Sequence, residues 1–508
     1  MKYQNPIIRG FNPDPSICKA GGNYYLVTSS FEYFPGIPIY HSTDLVNWEQ
    51  TGNCITRENQ LPMDRAQASG GIWAPTIRFH EGMFYVTATF SGIGNFIIHA
   101  ANPAGEWSDP VWTEMDGIDP SMFFEDGKMY YCANDCGSRW RGTEGISLAE
   151  MDVNTGKVIG EIRRIWEGTG GGFLEAPHIY HIGDWYYLMA AEGGTHFGHM
   201  TTLARSRDIW GTYEGCPQNP VLTNRNDTSK QALCCGHADL VVDEHDNLWF
   251  VHLGTRPATD SLSHLGRETF LTPAVLFDGW IRAADGGRAR IDVEWSGEAG
   301  QVLPVGLDFD FSGKKWEKPW LFLRRPDMGK YCRTGDCLIL RPSMVKITDK
   351  INSPTFTAVR QMDFDCETDI SFVFDARQTG DEAGAVIYLT PDFMYRIFKC
   401  REEDENYLIV EKIAGDFVQT AYREKIADGI VHIKIKADRL NYEFYYAINE
   451  GSMHFAGKAS TRFLSCELAG KCFTGALIGI YAQMRKATDA EARYYCFRQF
   501  RTGGKGTE

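Results

Sequence analysis

Asp14-Pro15-Ser16-Ile17, followed by the turn Gly21-Gly22-Asn23 and the strand Tyr24-Tyr25-Leu26-Val27-Thr28, is the first of five copies of one pattern. The second is Ala74-Pro75-Thr76-Ile77, turn Glu81-Gly82, then Phe84-Tyr85-Val86-Thr87. The third is Asp119-Pro120-Ser121-Met122, turn Asp126-Gly127, then Met129-Tyr130-Tyr131. The fourth is Ala176-Pro177-His178-Ile179, turn Gly183-Asp184, then Trp185-Tyr186-Tyr187-Leu188. The fifth is His237-Ala238-Asp239-Leu240, turn Asp246-Asn247, then Leu248-Trp249-Phe250-Val251.

Each copy reads as a β-hairpin. Gly, Asn and Asp supply the positive φ of a tight turn, and aromatic residues favour the pleated strand after it. Proline stands at a strand start, where its missing N–H costs least. The period, roughly 45 to 60 residues, holds four short strands, the size of a propeller blade. A later marker occurs in Ser42-Thr43-Asp44-Leu45-Val46-Asn47-Trp48, Asn102-Pro103-Ala104-Gly105-Glu106-Trp107 and Ser206-Arg207-Asp208-Ile209-Trp210. It reads as the outer turn of a blade. The expected fold is therefore all-β, with a five-bladed β-propeller over residues 1–303. A sandwich of hairpins is the rival, and the regular period speaks against it.

Beyond that point the repeat stops. Residues 304–508 carry alternating strands such as Val431-His432-Ile433-Lys434-Ile435-Lys436 and Ala476-Leu477-Ile478-Gly479-Ile480-Tyr481, without helical periodicity, and read as a β-sandwich. The charged run Arg401-Glu402-Glu403-Asp404-Glu405 reads as a solvated loop.

A chain of 508 residues is too long for one core, which agrees with two domains. Charged residues are 23% and hydrophobic residues 43%, an ordinary globular balance. The net charge of −15 disfavours nucleic acid and anionic membrane as partners and suits a neutral ligand such as a sugar. No apolar leader or bilayer-length segment is visible, so the cytoplasm is the expected compartment. The fourteen cysteines lack paired zinc-ligand spacing and are expected as free, mostly buried thiols.

In a propeller the innermost strand of each blade lines a shared channel, so equivalent repeat positions converge. Alignment places Asp14, Ala74, Asp119, Ala176 and His237 at one position, with Trp73, Glu175 and Gly236 one residue earlier. Asp14, Asp119, Glu175 and His237 are thus expected around the axis, with Trp73 beside them. One such Asp could simply hold a strand start; three acids at equivalent positions point to chemistry, because like charges raise one another's pKa. Glycoside hydrolysis needs such a set: one carboxyl kept protonated for the leaving oxygen, another ionised for water or carbon. His237 reads as a contact to sugar hydroxyls, a ligand to a central cation, or a partner of a carboxylate. His178 and His181 face opposite sides of a strand and make no metal site. His196 and His199 lack further ligands. The run Gly168-Thr169-Gly170-Gly171-Gly172 lacks the strand–loop–helix setting of a phosphate loop and reads as a flexible approach to Glu175.

These segments resemble family 43 glycoside hydrolases, propeller enzymes acting on arabinose- and xylose-containing glycans. The resemblance rests on Phe11-Asn12-Pro13-Asp14-Pro15-Ser16, Ser69-Gly70-Gly71-Ile72-Trp73-Ala74-Pro75, Asp119-Pro120-Ser121, Glu175-Ala176-Pro177-His178, Ala191-Glu192-Gly193-Gly194-Thr195, Cys235-Gly236-His237-Ala238 and Leu265-Gly266-Arg267-Glu268-Thr269. The second half resembles the concanavalin-like sandwich of the β-xylosidase-like branch, most clearly at Cys472-Phe473-Thr474-Gly475-Ala476.

The resemblance implies an inverting mechanism with Asp14 as general base, Glu175 as general acid and Asp119 tuning Glu175. A base–acid separation of about 6.5–9.5 Å would leave room for the attacking water. It further implies apolar walls at Phe31 and Trp73, polar sugar contacts at Thr195, His237 and Arg267, and a floor for the next subsite at Trp140. No cofactor is required, with room for a Ca²⁺ near His237, and a homo-oligomer is compatible. A sandwich loop is expected to close the pocket, the one after Tyr481-Ala482-Gln483 being the candidate, although its Met484-Arg485-Lys486 diverges. That makes an exo-enzyme for terminal β-D-xylose ahead of α-L-arabinofuranose, acting on xylo- or arabino-oligosaccharides. A non-catalytic carbohydrate-binding propeller and an endo-acting arabinanase are the alternatives.

Overall fold

The computed structural model describes residues 2–135, 144–294, 300–313, 315–470 and 472–502. Among them, five four-stranded antiparallel sheets follow one another along the chain. Their first strands are Ser16–Ala20, Ile72–His80, Ile118–Glu125, Glu175–Ile182 and Leu233–Val242. Each contacts the next, and the fifth contacts the first, so the inner strands close a ring. This is a propeller arrangement, with the repeat-bearing strands innermost. The markers read as outer turns do lie between the third and fourth strands of the first, second and fourth sheets. Asp44 and Asp208 hold two of them, Asp44 Oδ1 accepting from Val46 N at 2.9 Å and Asp208 Oδ1 from Trp210 N at 2.9 Å.

Ring closure is reinforced by the N-terminus. Lys2–Gln4 pairs with Asp292–Glu294, and Asn5 donates from its side chain to the Leu271 carbonyl at 2.8 Å. Tyr3, Ile17, Leu26, Trp249, Val251 and Leu271 share one buried cluster between the first and last sheets. Burial of such side chains supplies the stabilisation, at roughly 25 cal/mol per Å² of apolar surface.

The second half is a sandwich of two sheets. One runs Phe356–Arg360, Leu477–Gln483, Glu382–Thr390, Phe393–Glu402, Glu405–Ala414 and Phe417–Lys425 in spatial order. The other is built around Cys366–Phe374 and Ala492–Arg501 and includes Val431–Ala437. Inward residues alternate along each strand, as in the buried-intermediate pattern of Val431–Ala437. Within the charged run 401–405, Glu403 and Asp404 form the exposed turn of a hairpin, and the other three residues belong to its strands.

The halves are stitched together. Tyr33–Phe34 of the first sheet region pairs with Phe322–Leu323. The Arg324 N–H donates to the Glu32 carbonyl at 2.7 Å. At Gly475 an added Cβ would lie 2.3 Å from the Leu265 carbonyl oxygen, so only glycine lets the sandwich backbone rest against the segment leading to Arg267.

Candidate active site

The five aligned positions share one backbone device. Asp14, Ala74, Asp119, Ala176 and His237 all have φ between +39° and +53°, a region few non-glycine residues adopt. In the last four, the strand pairing slips by a bulge across the same point. Bulges re-aim side chains, and strain held at a repeated position marks a functional constraint. The repeat therefore delivers its side chains to the channel by a common kink.

Asp14, Asp119, Glu175 and His237 line one cavity of about 130 Å³, together with Phe31, Trp73, Thr195 and Arg267. Asp14, Asp119, Glu175, His237 and Trp73 follow from the repeat, and Phe31, Thr195 and Arg267 from the family resemblance. Trp140 lies outside the described residues. Phe473 completes the wall and was not singled out, although its segment was.

The three carboxyls divide electrostatically. Asp14 Oδ1 accepts from Arg267 Nη1 at 2.7 Å, Asp14 Oδ2 accepts from Ser29 Oγ at 2.6 Å, and His237 Nδ1 stands 3.9 Å away. Burial works to raise its pKa, but Arg267, His237 and Ser29 together hold it below the ordinary value. Asp14 is thus ionised at neutral pH. Asp119 and Glu175 go the other way. Burial, then Glu175 and Asp14, push Asp119 well up; burial and Asp14 lift Glu175 to about 7. The two titrate as a pair, so the retained proton belongs to the pair. Glu175 is the more accessible member, whereas Asp119 is only 7% exposed and its N–H donates to Thr89 Oγ1 at 3.1 Å. An ionised carboxylate and a proton-holding pair facing one small cavity can serve as base and acid.

Below them lies a second polar layer. The residues two positions after the aligned ones are Ser16, Thr76, Ser121, His178 and Asp239. Ser16 Oγ donates to Asp239 Oδ2 at 2.6 Å, Arg78 Nη1 sits 2.9 Å from Asp239 Oδ2, and Arg78 Nη2 is 2.9 Å from His178 Nδ1. His178 and His181 do face opposite ways, His181 pairing with Glu125 at the surface. His199 packs beneath Gly236 and is buried, driven neutral by burial and by His237 and Arg267, with its pKa at about 3. The Gly168–Gly172 run is not loose. Buried Glu192 straps it, accepting from Thr169 N at 2.9 Å and Gly171 N at 2.8 Å.

No residue of the loop after Gln483 lines this cavity. Residues 481–484 stay within the sandwich, Gln483 Nε2 donating to Glu382 and Met484 N to the Ser343 carbonyl. Instead Phe473 reaches the cavity, its ring 6.1 Å from Phe31 and 6.4 Å from Trp73. Ser69 anchors it. Ser69 Oγ accepts from Phe473 N at 2.9 Å, the Ser69 carbonyl accepts from Trp73 Nε1 at 3.0 Å, and Ser69 N donates to Glu32 Oε2 at 2.9 Å.

A cation held beside His237 would need several hard oxygen donors. Both Asp14 oxygens are engaged, and among the described residues no group of three His, Cys, Asp or Glu side chains converges to hold a metal. A Ca²⁺ there would therefore have to take most of its ligands from water, with His237 as its protein ligand.

Glu32, fully buried, carries a testable consequence. Burial raises its carboxyl to about 8, opposed by the Arg324 guanidinium. The folded state then keeps a proton that the unfolded chain gives up above about 4.5, so this contribution to stability is complete below that pH and is lost as pH rises through about 8. The loss is roughly 3–5 kcal/mol. Glu32→Gln is expected to remove it: its melting temperature relative to the unaltered protein rises between pH 5 and pH 8.5, measured by calorimetry.

Comparison with known proteins agrees with the site. Residues 3–281 match the model of glycosyl hydrolases family 43, and residues 308–501 match the β-xylosidase C-terminal concanavalin A-like domain. A non-reducing end α-L-arabinofuranosidase of Bacteroides ovatus is 39% identical, over 94% of this chain and 91% of that one. A xylosidase/arabinosidase of Butyrivibrio fibrisolvens is 35% identical over 97% and 98%. Among solved structures, a xylan β-1,4-xylosidase from Bacillus halodurans superposes with a TM-score of 0.91 at 30% identity, covering 98% of this chain and all of that one. An ionised carboxylate, a proton-sharing pair and a pocket between two matched domains belong together: the chain is a member of glycosyl hydrolase family 43, and it is a glycoside hydrolase.

Proposed function

We propose that this enzyme is an exo-acting, inverting hydrolase of terminal pentoses, with Asp14 as general base, Glu175 as general acid and Asp119 sharing and placing the acid's proton. The observation that carries the reading is the small cavity walled by Phe31, Trp73 and Phe473, in which one carboxyl is ionised and a pair retains a proton. The five sheets are read as five blades of one propeller, and the sandwich as the domain that supplies Phe473. Arg267 serves twice, holding Asp14 ionised and standing ready for a sugar hydroxyl.

α-L-Arabinofuranosyl linkages are proposed to be cleaved at least as fast as β-D-xylosyl ones. The Bacteroides relative's name supports this ordering over the xylose-first expectation. The Bacillus xylosidase supports the second reading, xylose as the main sugar. Initial rates on the two nitrophenyl pentosides decide between them, and inactivity on both overturns the exo-pentosidase reading. Inversion is checked by NMR of the first-formed anomer; retained configuration would remove the roles given to Asp14 and Glu175. A cytoplasmic location is proposed on the thirteen described cysteines, which stand as free thiols.

Phe473→Ala tests the pocket. The lost ring contact is expected to lower kcat/KM by roughly 10- to 100-fold, mostly through KM. Cleavage within long arabinan by the unaltered enzyme would instead argue for an open cleft.

A further inference from the structure

A second cavity, of about 270 Å³, lies between the two domains. Its walls are largely apolar, with Ile7, Ile8, Val46, Leu307, Pro319 and Met362 among them. One charge on its lining has no carboxylate partner: the Arg360 guanidinium lies 5.5 Å from the centre of the Phe11 ring and faces no counter-ion. Arg360 is 7% exposed; its Nε donates to the Phe11 carbonyl at 2.6 Å, and its Nη2 is buried without a partner. Among the described residues no carboxylate pairs with it. The neighbouring charges are all matched: Arg9 with Asp363, Arg256 with Glu268, Lys318 with Glu49.

A guanidinium does not give up its proton in a protein, so the Arg360 charge persists. Burial disfavours it, and Tyr40, Tyr33 and the Phe11 ring and carbonyl oppose that without supplying a full counter-charge. A buried charge calls for a counter-charge, and an apolar cavity at a domain interface with one convergent polar group has the form of a small-molecule site. We infer that this cavity binds a small amphipathic monocarboxylate, its aromatic or short aliphatic body against the apolar wall and its carboxylate on Arg360. A free sugar lacks the charge and would leave the apolar wall poorly used.

The site lies one layer behind the catalytic pocket. Arg360 holds the Phe11 carbonyl, the Phe11 ring is 5.7 Å from Phe31, and cavity-lining Asn12 donates its N–H to the Arg267 carbonyl at 3.0 Å. The experiment must therefore separate the two places. Isothermal titration calorimetry of the full chain with 3-phenylpropanoate and with its uncharged amide is expected to show one site, at least tenfold tighter for the carboxylate. Arg360→Met is expected to erase that preference, and Arg267→Met to leave it within twofold. Met362→Trp, which fills the cavity from a half-buried edge and keeps Arg360, is expected to weaken binding at least tenfold and serves should Arg360→Met fail to fold. No heat from either compound, equal affinity for both, or binding lost in Arg267→Met but kept in Arg360→Met would overturn the inference.

Discussion

Asp14→Asn is expected to lower kcat by about 10³-fold on every glycoside, whatever its leaving group. The reasoning starts from the two hydrogen bonds that hold Asp14: Arg267 on one oxygen and Ser29 on the other. They keep the carboxylate ionised and fix its plane, which suits a group that must take a proton from water. Asparagine preserves the shape and one acceptor, but its amide cannot accept that proton. Water attack is needed for good and poor leaving groups alike, so the loss should be uniform across them. KM should move little, because Phe31, Trp73 and Phe473 still wall the cavity. Removing one charge of the buried Asp14–Arg267 pair also costs stability, up to about 3–5 kcal/mol, so rates are to be normalised to the folded fraction. A loss that shrinks as the leaving group improves would assign Asp14 to protonation and sink the base assignment.

Most of this site was legible because the fold repeats. Aligning five hairpins places Asp14, Asp119 and His237 at one position without any contact being known, and the shared positive φ at all five is the physical reason the alignment works. Shifting the same alignment by two residues gives Ser16, Thr76, Ser121, His178 and Asp239, the polar layer beneath. That signal is present in the sequence. Arg78, which completes this layer, stands four positions after Ala74, where the other copies carry Cys18, Phe123, Tyr180 and Val241. Its charge follows no repeat pattern, and only its contact with Asp239 shows its part.

The second domain was less legible. Its strands follow from alternation, yet alternation says which residues are buried and not what they are buried against. Phe473 looks like a core aromatic in sequence. Its place in the cavity depends on the backbone approach between Leu265 and Gly475 and on Ser69 Oγ, contacts more than 200 residues apart in the chain. The loop after Gln483 was a weaker candidate for the same reason: its anchoring to Ser343 and Glu382 is tertiary and leaves no periodic trace. Composition alone suggests a loose 168–172, because the Glu192 carboxylate that straps it is 21 to 23 residues away, at the end of the strand Trp185–Glu192.

Glu175→Gln is expected to give the complementary result: a loss of about 10²–10⁴-fold on glycosides with poor leaving groups, and a much smaller one on dinitrophenyl pentosides. An activated phenolate departs without a proton, so the missing acid matters least there. The pH profile supplies an independent readout. With the proposed roles, activity in the unaltered enzyme requires Asp14 ionised and a proton on the Asp119–Glu175 pair. The acid limb of kcat/KM therefore falls below the ordinary aspartate value, because Asp14 is held down by Arg267, His237 and Ser29 against its burial. The alkaline limb falls where the Asp119–Glu175 pair loses that proton, above the ordinary carboxyl range because burial and neighbouring carboxylates lift both groups. Glutamine cannot titrate, so Glu175→Gln should keep the acid limb and flatten the alkaline one on the activated substrate. Asp119→Asn should move the alkaline limb without flattening it, since Glu175 still titrates but without its partner carboxyl. Were the alkaline limb to survive unchanged in Glu175→Gln, the proton donor would have to be another group in the cavity, with Asp119 the first to test.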